Sequence, residues 1–186
     1  MPHRRTLLTA TGLMLLGMGS TAIGQTASAV PAEVAEAVAG AQALGSARMR
    51  FFGLAIYDAR LWVAPRFVAE QYAQHPLALE LTYLRALGGR AIAQRSLQEM
   101  RLSGAMDAGQ ETRWLVAMES LFPDVAAGDR ITGAHAPELG ARFWRNGRVL
   151  GAIDDPEFSR RFFGIWLAST SSAPELRAAL LTRTAT

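Results

Sequence analysis

A chain of 186 residues in which half of the residues are hydrophobic and 19% are charged can bury one core, and it has too few charges for a disordered chain. The formal net charge is +3, but two of the arginines lie in a segment that we expect to be removed, so the mature chain is almost neutral and no nucleic-acid site is predicted. Cysteine is absent, which excludes disulfides, thiolate metal sites and a cysteine nucleophile.

The first 29 residues have the pattern of a secretory signal peptide. Arg4 and Arg5 give a charged start, residues 7–22 are mostly apolar, and small residues follow at 27–29. This pattern predicts cleavage after Ala29, with cleavage after Gly24 as the alternative. The alternative to a signal peptide is a transmembrane anchor. A bilayer core needs about 20 consecutive apolar residues, but this apolar run is shorter and glycines interrupt it. We therefore expect residues 1–29 to be a signal peptide and residues 30–186 to form one domain.

The signal peptide predicts a periplasmic protein with no stable membrane span after cleavage. The adjacent pair Arg4-Arg5 is compatible with the twin-arginine route and with the general secretory route, and the residues do not decide between them. In either case the mature chain is predicted to work outside the cytoplasm.

The first half of the mature chain predicts strands. Residues 31–45 are ambiguous between a leading strand and a short helix. Residues 44–63 are rich in aromatic and aliphatic side chains and contain Gly53 near their middle, which indicates two strands, or one long strand bent at Gly53. Residues 77–85 alternate apolar and polar side chains, as a half-buried strand does.

Two helices and then a second group of strands are predicted next. Residues 90–101 contain helix formers and end before Ser103-Gly104, and a second helix begins after Asp107, with Gln110 three residues on. Strands are expected at 129–133 and 141–145. Asn146-Gly147 between two apolar segments predicts a tight hairpin, because both positions of a type I′ turn favour positive φ.

Two more helices are predicted at the carboxyl end. Asp155-Pro156 supplies an N-cap and a proline suited to the first helical position, and this helix should continue to about Trp166. Ser172, with Glu175 three residues later, predicts a capping box for the last helix. Strands and helices occur in separate blocks, so the predicted class is α+β with a mostly antiparallel sheet.

Few residues in the mature chain suit catalysis or metal binding. Its two histidines, His75 and His135, are far apart in sequence, and no phosphate-binding loop or nucleophile elbow is present. We therefore predict neither a metal site nor a cofactor. Arg48 and Arg50 share one face of the first strand. They are either surface residues, one of which could pair with Glu80, or cationic groups that bind a ligand carboxylate.

Several segments together resemble the bacterial chalcone isomerase-like family. The resemblance begins with Gly45-Ser46-Ala47-Arg48 and the aromatic strand after it, and it continues through segments that match in order and spacing over nearly the whole mature chain. These later segments are Gly89-Arg90, Arg95-Ser96-Leu97, Leu121-Phe122-Pro123-Asp124, Gly128-Asp129-Arg130, Phe143-Trp144-Arg145-Asn146-Gly147 and residues 158–167.

The resemblance implies an open-faced β-sandwich with helices on one face of the sheet and a ligand cleft between them. The superfamily includes enzymes that close a chalcone into a flavanone, non-catalytic relatives and fatty-acid-binding proteins. The resemblance implies that Arg48 faces the cleft and that Tyr57 shares the ligand carboxylate. Because the two residues are nine positions apart, regular alternation would put them on opposite faces, so a bulge at Gly53 is expected. Arg50 and Tyr83 are further candidate ligand-binding residues.

The resemblance favours binding over catalysis. The plant enzymes carry a tyrosine that helps to place the substrate ketone, and the matching stretch of this chain has Ala91 and Ile92 instead. Three functions remain open at this point. The first is a non-catalytic periplasmic protein that binds a small amphipathic carboxylate such as a fatty acid. The second is an isomerase of a chalcone-like phenolic ketone, and the third is an envelope interaction module without a ligand.

Overall fold

The computed structural model describes residues 29–183, and all but the last residue of the predicted signal peptide lie outside this part. The described chain forms one antiparallel sheet of six strands, whose spatial order follows the sequence order. The strands are β1 (Gln42–Phe51), β2 (Leu54–Val63), β3 (Leu77–Tyr83), β4 (Arg130–Ala136), β5 (Gly140–Arg145) and β6 (Arg148–Ile153).

Within residues 29–183, five α-helices surround the sheet, and two short 3-10 helices, Ala69–Gln74 and Arg101–Ser103, lie in its connections. The α-helices are α1 (Ala32–Ala37), α2 (Gly89–Met100), α3 (Ala108–Leu121), α4 (Pro156–Leu167) and α5 (Pro174–Leu181). The helices α2 to α5 cover one face of the sheet, here called the front face. The predicted α+β fold, an open-faced sandwich with a mostly antiparallel sheet, is therefore confirmed, and the ambiguous segment at 31–45 contains a helix, α1.

The front face carries the main core. Along β3 the side chains of Leu77, Leu79, Leu81 and Tyr83 alternate onto this face and are buried, as their spacing of two requires. Helix α4 packs its aromatic side against the same face, where Phe163 is fully buried. Burial of such side chains is the main source of the stability of the domain.

A smaller core lies on the opposite face, here called the back face. Val34 and Val38 at helix α1 pack there against Trp62 and Trp144, and all four are buried. Glu33 on the same helix is also buried, and its carboxylate accepts hydrogen bonds from Arg130 at 2.5 Å and from the Thr132 hydroxyl at 3.1 Å. An ion pair with this additional hydrogen bond offsets the desolvation of the carboxylate, so α1 is fixed to the sheet by apolar packing and by charge.

Two tight turns connect neighbouring strands. The φ angles of Asn146 and Gly147 are +50° and +80°, which confirms the predicted hairpin between β5 and β6. Phe52 and Gly53 have φ angles of +47° and +78° and form a two-residue turn between β1 and β2. The segment 44–63 therefore consists of two strands and not of one bent strand.

The expected bulge at Gly53 is absent, and the irregularity lies elsewhere. Met49 pairs with Tyr57 whereas Arg50 pairs with Ala55, so Ile56 is the extra residue on β2. Because Arg48 pairs directly with Asp58, this bulge leaves Arg48 and Tyr57 on opposite faces of the sheet.

Two of the three helix N-caps that were predicted from the sequence are confirmed. Asp107 accepts a hydrogen bond from the backbone N–H of Gln110, and Asp155 accepts bonds from the N–H groups of Glu157 and Phe158. The prediction that Ser172 caps the last helix is wrong. Helix α5 follows Ala173 without a side-chain cap, because the Ser172 hydroxyl donates to Glu99 instead.

Candidate functional site

A cavity of about 380 Å³ lies between the front face of the sheet and the helices. This volume falls within the range of about 300–1,000 Å³ that is typical of small-molecule sites. Its wall is almost entirely apolar and includes, from the strands, Met49, Phe51, Ile56, Leu79, Leu81, Ile131 and Phe143, and from the helices, Ala91, Ile92, Phe162, Phe163, Ile165, Trp166 and Leu176. Such a wall suits the hydrocarbon part of a ligand.

Two tyrosines bring polar groups to this wall. Tyr57 on β2 is the register partner of Tyr83 on β3, so both point to the front face, and their rings meet edge to face with centroids 5.9 Å apart. The Trp166 indole donates to the Tyr57 hydroxyl at 3.0 Å. Because an indole N–H can only donate, the Tyr57 hydroxyl accepts this bond and its own proton stays available.

Both phenols are protonated at neutral pH, and burial moves their pKa values further above it. Desolvation raises the pKa of Tyr57 to about 12, and burial likewise raises the pKa of Tyr83. Within residues 29–183 neither phenol proton has a hydrogen-bond acceptor. The cavity wall therefore offers two neutral O–H donors, which can bind a carboxylate or a carbonyl oxygen but do not act as bases at neutral pH.

The charged groups of the cavity are at its mouth, on helix α2. Arg95 and Glu99 line the cavity and form an ion pair one helical turn apart. The Arg95 side chain is 55% exposed and that of Glu99 is 10% exposed, so the guanidinium faces solvent at the rim. Glu99 also accepts a hydrogen bond of 2.7 Å from the Ser172 hydroxyl, and the guanidinium carbon of Arg95 lies 5.7 Å from the centroid of the Phe51 ring.

The predicted arginine anchor does not reach this cavity. Arg48 is on the back-face side of β1, where its Nε and Nη2 donate to the two carboxylate oxygens of Asp58 at 2.6 and 2.8 Å. These hydrogen bonds are the main cause of a lowered pKa for Asp58. The expected placement of Arg48 in the cleft is therefore wrong, because direct pairing of Arg48 with Asp58 in the register fixes its side of the sheet.

The other predicted site residues divide in the same way. Arg50 shares the side of Arg48, and its guanidinium donates to the Gly53 carbonyl at 3.3 Å, so it does not line the cavity either. Tyr57 and Tyr83 do line it. Of the four side chains chosen from the sequence, the structure thus brings the two tyrosines together at the cavity and leaves the two arginines outside.

Arg95 and Glu99 were not among the residues predicted from the sequence. A signal for them exists in α2, since Ile92, Arg95, Ser96 and Glu99 follow the spacing of three, four and seven residues that places side chains on one helical face. All four line the cavity. Ser172 has no comparable signal, because its contact with Glu99 joins segments 73 residues apart.

The histidines do not belong to the cavity. His135 is buried, with Nδ1 2.6 Å from the Ser159 hydroxyl and Nε2 3.0 Å from the Ala73 carbonyl, and burial lowers its pKa. In the part of the chain that the structure describes, no three His, Asp or Glu side chains cluster in a way that could hold a metal ion. No helix in the same part is long and apolar enough to cross a bilayer.

Comparisons with known proteins agree with this architecture. A sequence model described as chalcone isomerase-like matches residues 44–182. An uncharacterized protein of Haemophilus influenzae is 32% identical over 114 residues, which are 61% of this chain and 55% of that protein, so the chain spans little more than half the length of this relative. The crystal structure of an Arabidopsis thaliana fatty-acid binding protein has a similar fold, with a TM-score of 0.58 and 12% identity over 76% of this chain and 86% of that one.

Proposed function

The chain belongs to the chalcone isomerase-like family, and from this premise we propose that it is a non-catalytic binding protein for a small amphipathic carboxylate, such as a fatty acid. The observation that carries the proposal is the almost wholly apolar cavity of about 380 Å³ with an arginine at its mouth. The hydrocarbon part of the ligand lies against the sheet, and the carboxylate lies at the polar rim. The name of the Arabidopsis structure adds support for a fatty acid.

We assign the carboxylate to Arg95 and not to Arg48. A guanidinium has five N–H donors, and Arg95 uses one nitrogen for Glu99 while more than half of its side chain is exposed. It therefore retains donors for a ligand oxygen. Arg48 donates hydrogen bonds from Nε and Nη2 to Asp58 on the other side of the sheet. The neutral O–H groups of Tyr57 and Tyr83 provide further donors deeper in the cavity.

The wall composition favours binding over isomerisation. Ala91 and Ile92, at the positions where the plant enzymes have a tyrosine, both line the cavity and carry no group that can transfer a proton. Tyr57 and Tyr83 have raised pKa values, and within the described residues neither hydroxyl donates a hydrogen bond to a base. The carboxylate that lines the cavity, Glu99, is already engaged by Arg95 and the Ser172 hydroxyl, so the ligand meets neutral donors and a cation and no free base.

The Arg95→Met variant is expected to bind a fluorescent fatty acid about tenfold more weakly than the wild type. This loss is at the lower end of the range for a charged hydrogen bond, because the Arg95 side chain is half exposed. Methionine keeps the length and apolar stem of the side chain. Fluorescence titration with cis-parinaric acid measures the change.

Arg48→Met is the matched control for this experiment and should leave the affinity unchanged. The same loss in both variants would point to a general electrostatic effect. A loss in Arg48→Met alone would contradict the assignment of the carboxylate to Arg95.

We also propose that the protein acts in the periplasm after removal of residues 1–29. The support is the arrangement of arginines, apolar residues and small residues in that segment. Intact mass measurement of protein recovered from the periplasm should give a chain that begins at Val30. Recovery of the full-length chain from the cytoplasm alone would contradict export.

A further inference from the structure

The turn between β1 and β2 exposes an unusual amount of apolar surface. Phe51, Phe52 and Leu54, here called the β1–β2 tip, are 48%, 90% and 55% exposed. Single exposed apolar residues are common, but three together on one turn indicate an interaction site. The tip is a protruding point and not a groove.

Phe52 is poorly suited to its backbone position on folding grounds. Its φ is +47°, a conformation that asparagine and glycine adopt far more readily than bulky side chains. Its ring contacts that of Phe51, with centroids 4.5 Å apart, and is otherwise in solvent. This phenylalanine stabilises neither the turn nor the core. We therefore expect its apolar surface to contact another molecule.

The tip is continuous with the mouth of the cavity. Phe51 belongs to the tip and also lines the cavity, and Arg95 at the rim lies over its ring. A surface that covers the tip therefore lies next to the opening through which a ligand enters or leaves.

The charges beside the tip are basic. Arg50 precedes it, and Arg85 follows β3 at the same end of the sheet, where the Leu84 N–H donates to the Ile56 carbonyl. Neither arginine forms an ion pair within residues 29–183. The carboxylates of Asp58 and Glu99 in this region are already paired with Arg48 and Arg95. Apolar side chains flanked by unpaired arginines match the boundary of an anionic lipid bilayer.

We propose that the β1–β2 tip docks on the surface of an anionic lipid bilayer. Phe51, Phe52 and Leu54 enter the boundary between headgroups and acyl chains, and Arg50 and Arg85 bind lipid phosphates. A protein partner fits less well, because a stable protein interface needs about 800 Å² on each side and a two-residue turn offers a small convex surface. Docking itself does not depend on the proposed function, but its use for exchanging a ligand with the bilayer does.

The test is flotation of the mature chain, residues 30–186, with vesicles of phosphatidylglycerol and phosphatidylethanolamine and with vesicles of phosphatidylcholine alone. Phe52→Asn should weaken binding to the anionic vesicles at least about tenfold, through loss of a buried aromatic side chain, while giving the turn the favoured Asn-Gly sequence. Arg50→Gln should weaken it about fivefold, as for one basic residue near a charged surface.

Leu139→Asn is the matched control. Leu139 is 71% exposed but precedes β5, at the opposite end of the sheet, so its removal should leave vesicle binding unchanged. Affinity of Phe52→Asn for cis-parinaric acid in solution should equal that of the wild type, because Phe52 does not line the cavity. Failure of docking and failure of ligand binding are therefore distinguishable.

Three results would overturn the proposal. The first is that the wild type fails to bind anionic vesicles, and the second is that Phe52→Asn binds them as tightly as the wild type does. The third is that the wild type binds phosphatidylcholine vesicles as tightly as anionic vesicles at all salt concentrations. A fourth contradicting result could come from sedimentation of the protein in the absence of lipid. A dimer that the Phe52→Asn substitution dissociates would assign the tip to a second copy of the chain instead of a bilayer.

Discussion

Replacing Ser96 by phenylalanine is expected to abolish fatty-acid binding and to raise the thermal stability of the ligand-free protein. Ser96 on α2 is 7% exposed and lines the cavity, and its hydroxyl makes no hydrogen bond within the described residues. A phenyl ring at this position takes up space that the ligand needs. Filling a cavity of this kind commonly adds about 0.5–2 kcal/mol to the free energy of unfolding.

Thermal unfolding with and without fatty acid measures both effects. The wild type should gain stability with increasing ligand, because a ligand that binds only the folded state shifts the equilibrium towards it, whereas Ser96→Phe should not respond. Gln98→Phe is the control, since Gln98 is exposed on the same helix. A Ser96→Phe variant that binds as tightly as the wild type would show that the ligand site is elsewhere.

Replacing Asp155 by alanine is expected to lower the free energy of unfolding by about 3 kcal/mol, the sum of a lost N-cap and an unsatisfied buried donor. One carboxylate oxygen accepts the backbone N–H groups of Glu157 at 2.9 Å and Phe158 at 3.1 Å. The other accepts the Trp114 indole N–H at 2.8 Å. Trp114 is 2% exposed, so its indole N–H loses a buried partner when the carboxylate is removed. Urea unfolding measures the change.

Asp107→Ala separates the two contributions. Asp107 caps α3 through one exposed hydrogen bond and has no tryptophan partner, so its loss should cost about 1 kcal/mol. The Trp114→Phe substitution in the Asp155→Ala background should cost less than in the wild type, because the indole N–H is then already unpaired. Equal costs of Asp155→Ala and Asp107→Ala would show that the indole bond contributes nothing to stability.

The elements of this fold were mostly predictable because their signals are local. Asn146-Gly147 specifies its turn through the φ angles that these two residues accept, and Asp155-Pro156 specifies a helix start through one carboxylate and one missing N–H. Residues 77–85 show their buried face by simple alternation. Ser172 has the same local pattern as a cap but does not act as one, because a distant partner, Glu99, takes its hydroxyl.

The candidate site was only partly predictable, because the face of a strand depends on its partner. A count of residues between Arg48 and Tyr57 required a bulge that would bring both to one face. In a hairpin with the two-residue turn Phe52-Gly53, regular pairing would already set Arg48 opposite Tyr57 on one face. The bulge at Ile56 shifts the register by one residue, so Arg48 pairs with Asp58 and lies on the other side. Arg95 was passed over because an exposed arginine in a helix has no local feature that separates a cavity rim from ordinary surface.

The α+β class and most of the strands and helices follow from side-chain periodicity, turn conformations and caps, which act over a few residues. The family and the two tyrosines that line the cavity came from the resemblance of whole segments to known relatives. Which arginine meets the cavity, and that an open volume remains between sheet and helices, became clear from the three-dimensional packing alone. Both follow from strand register and from the packing of segments far apart in the chain, where a shift of one residue moves a side chain to the opposite face.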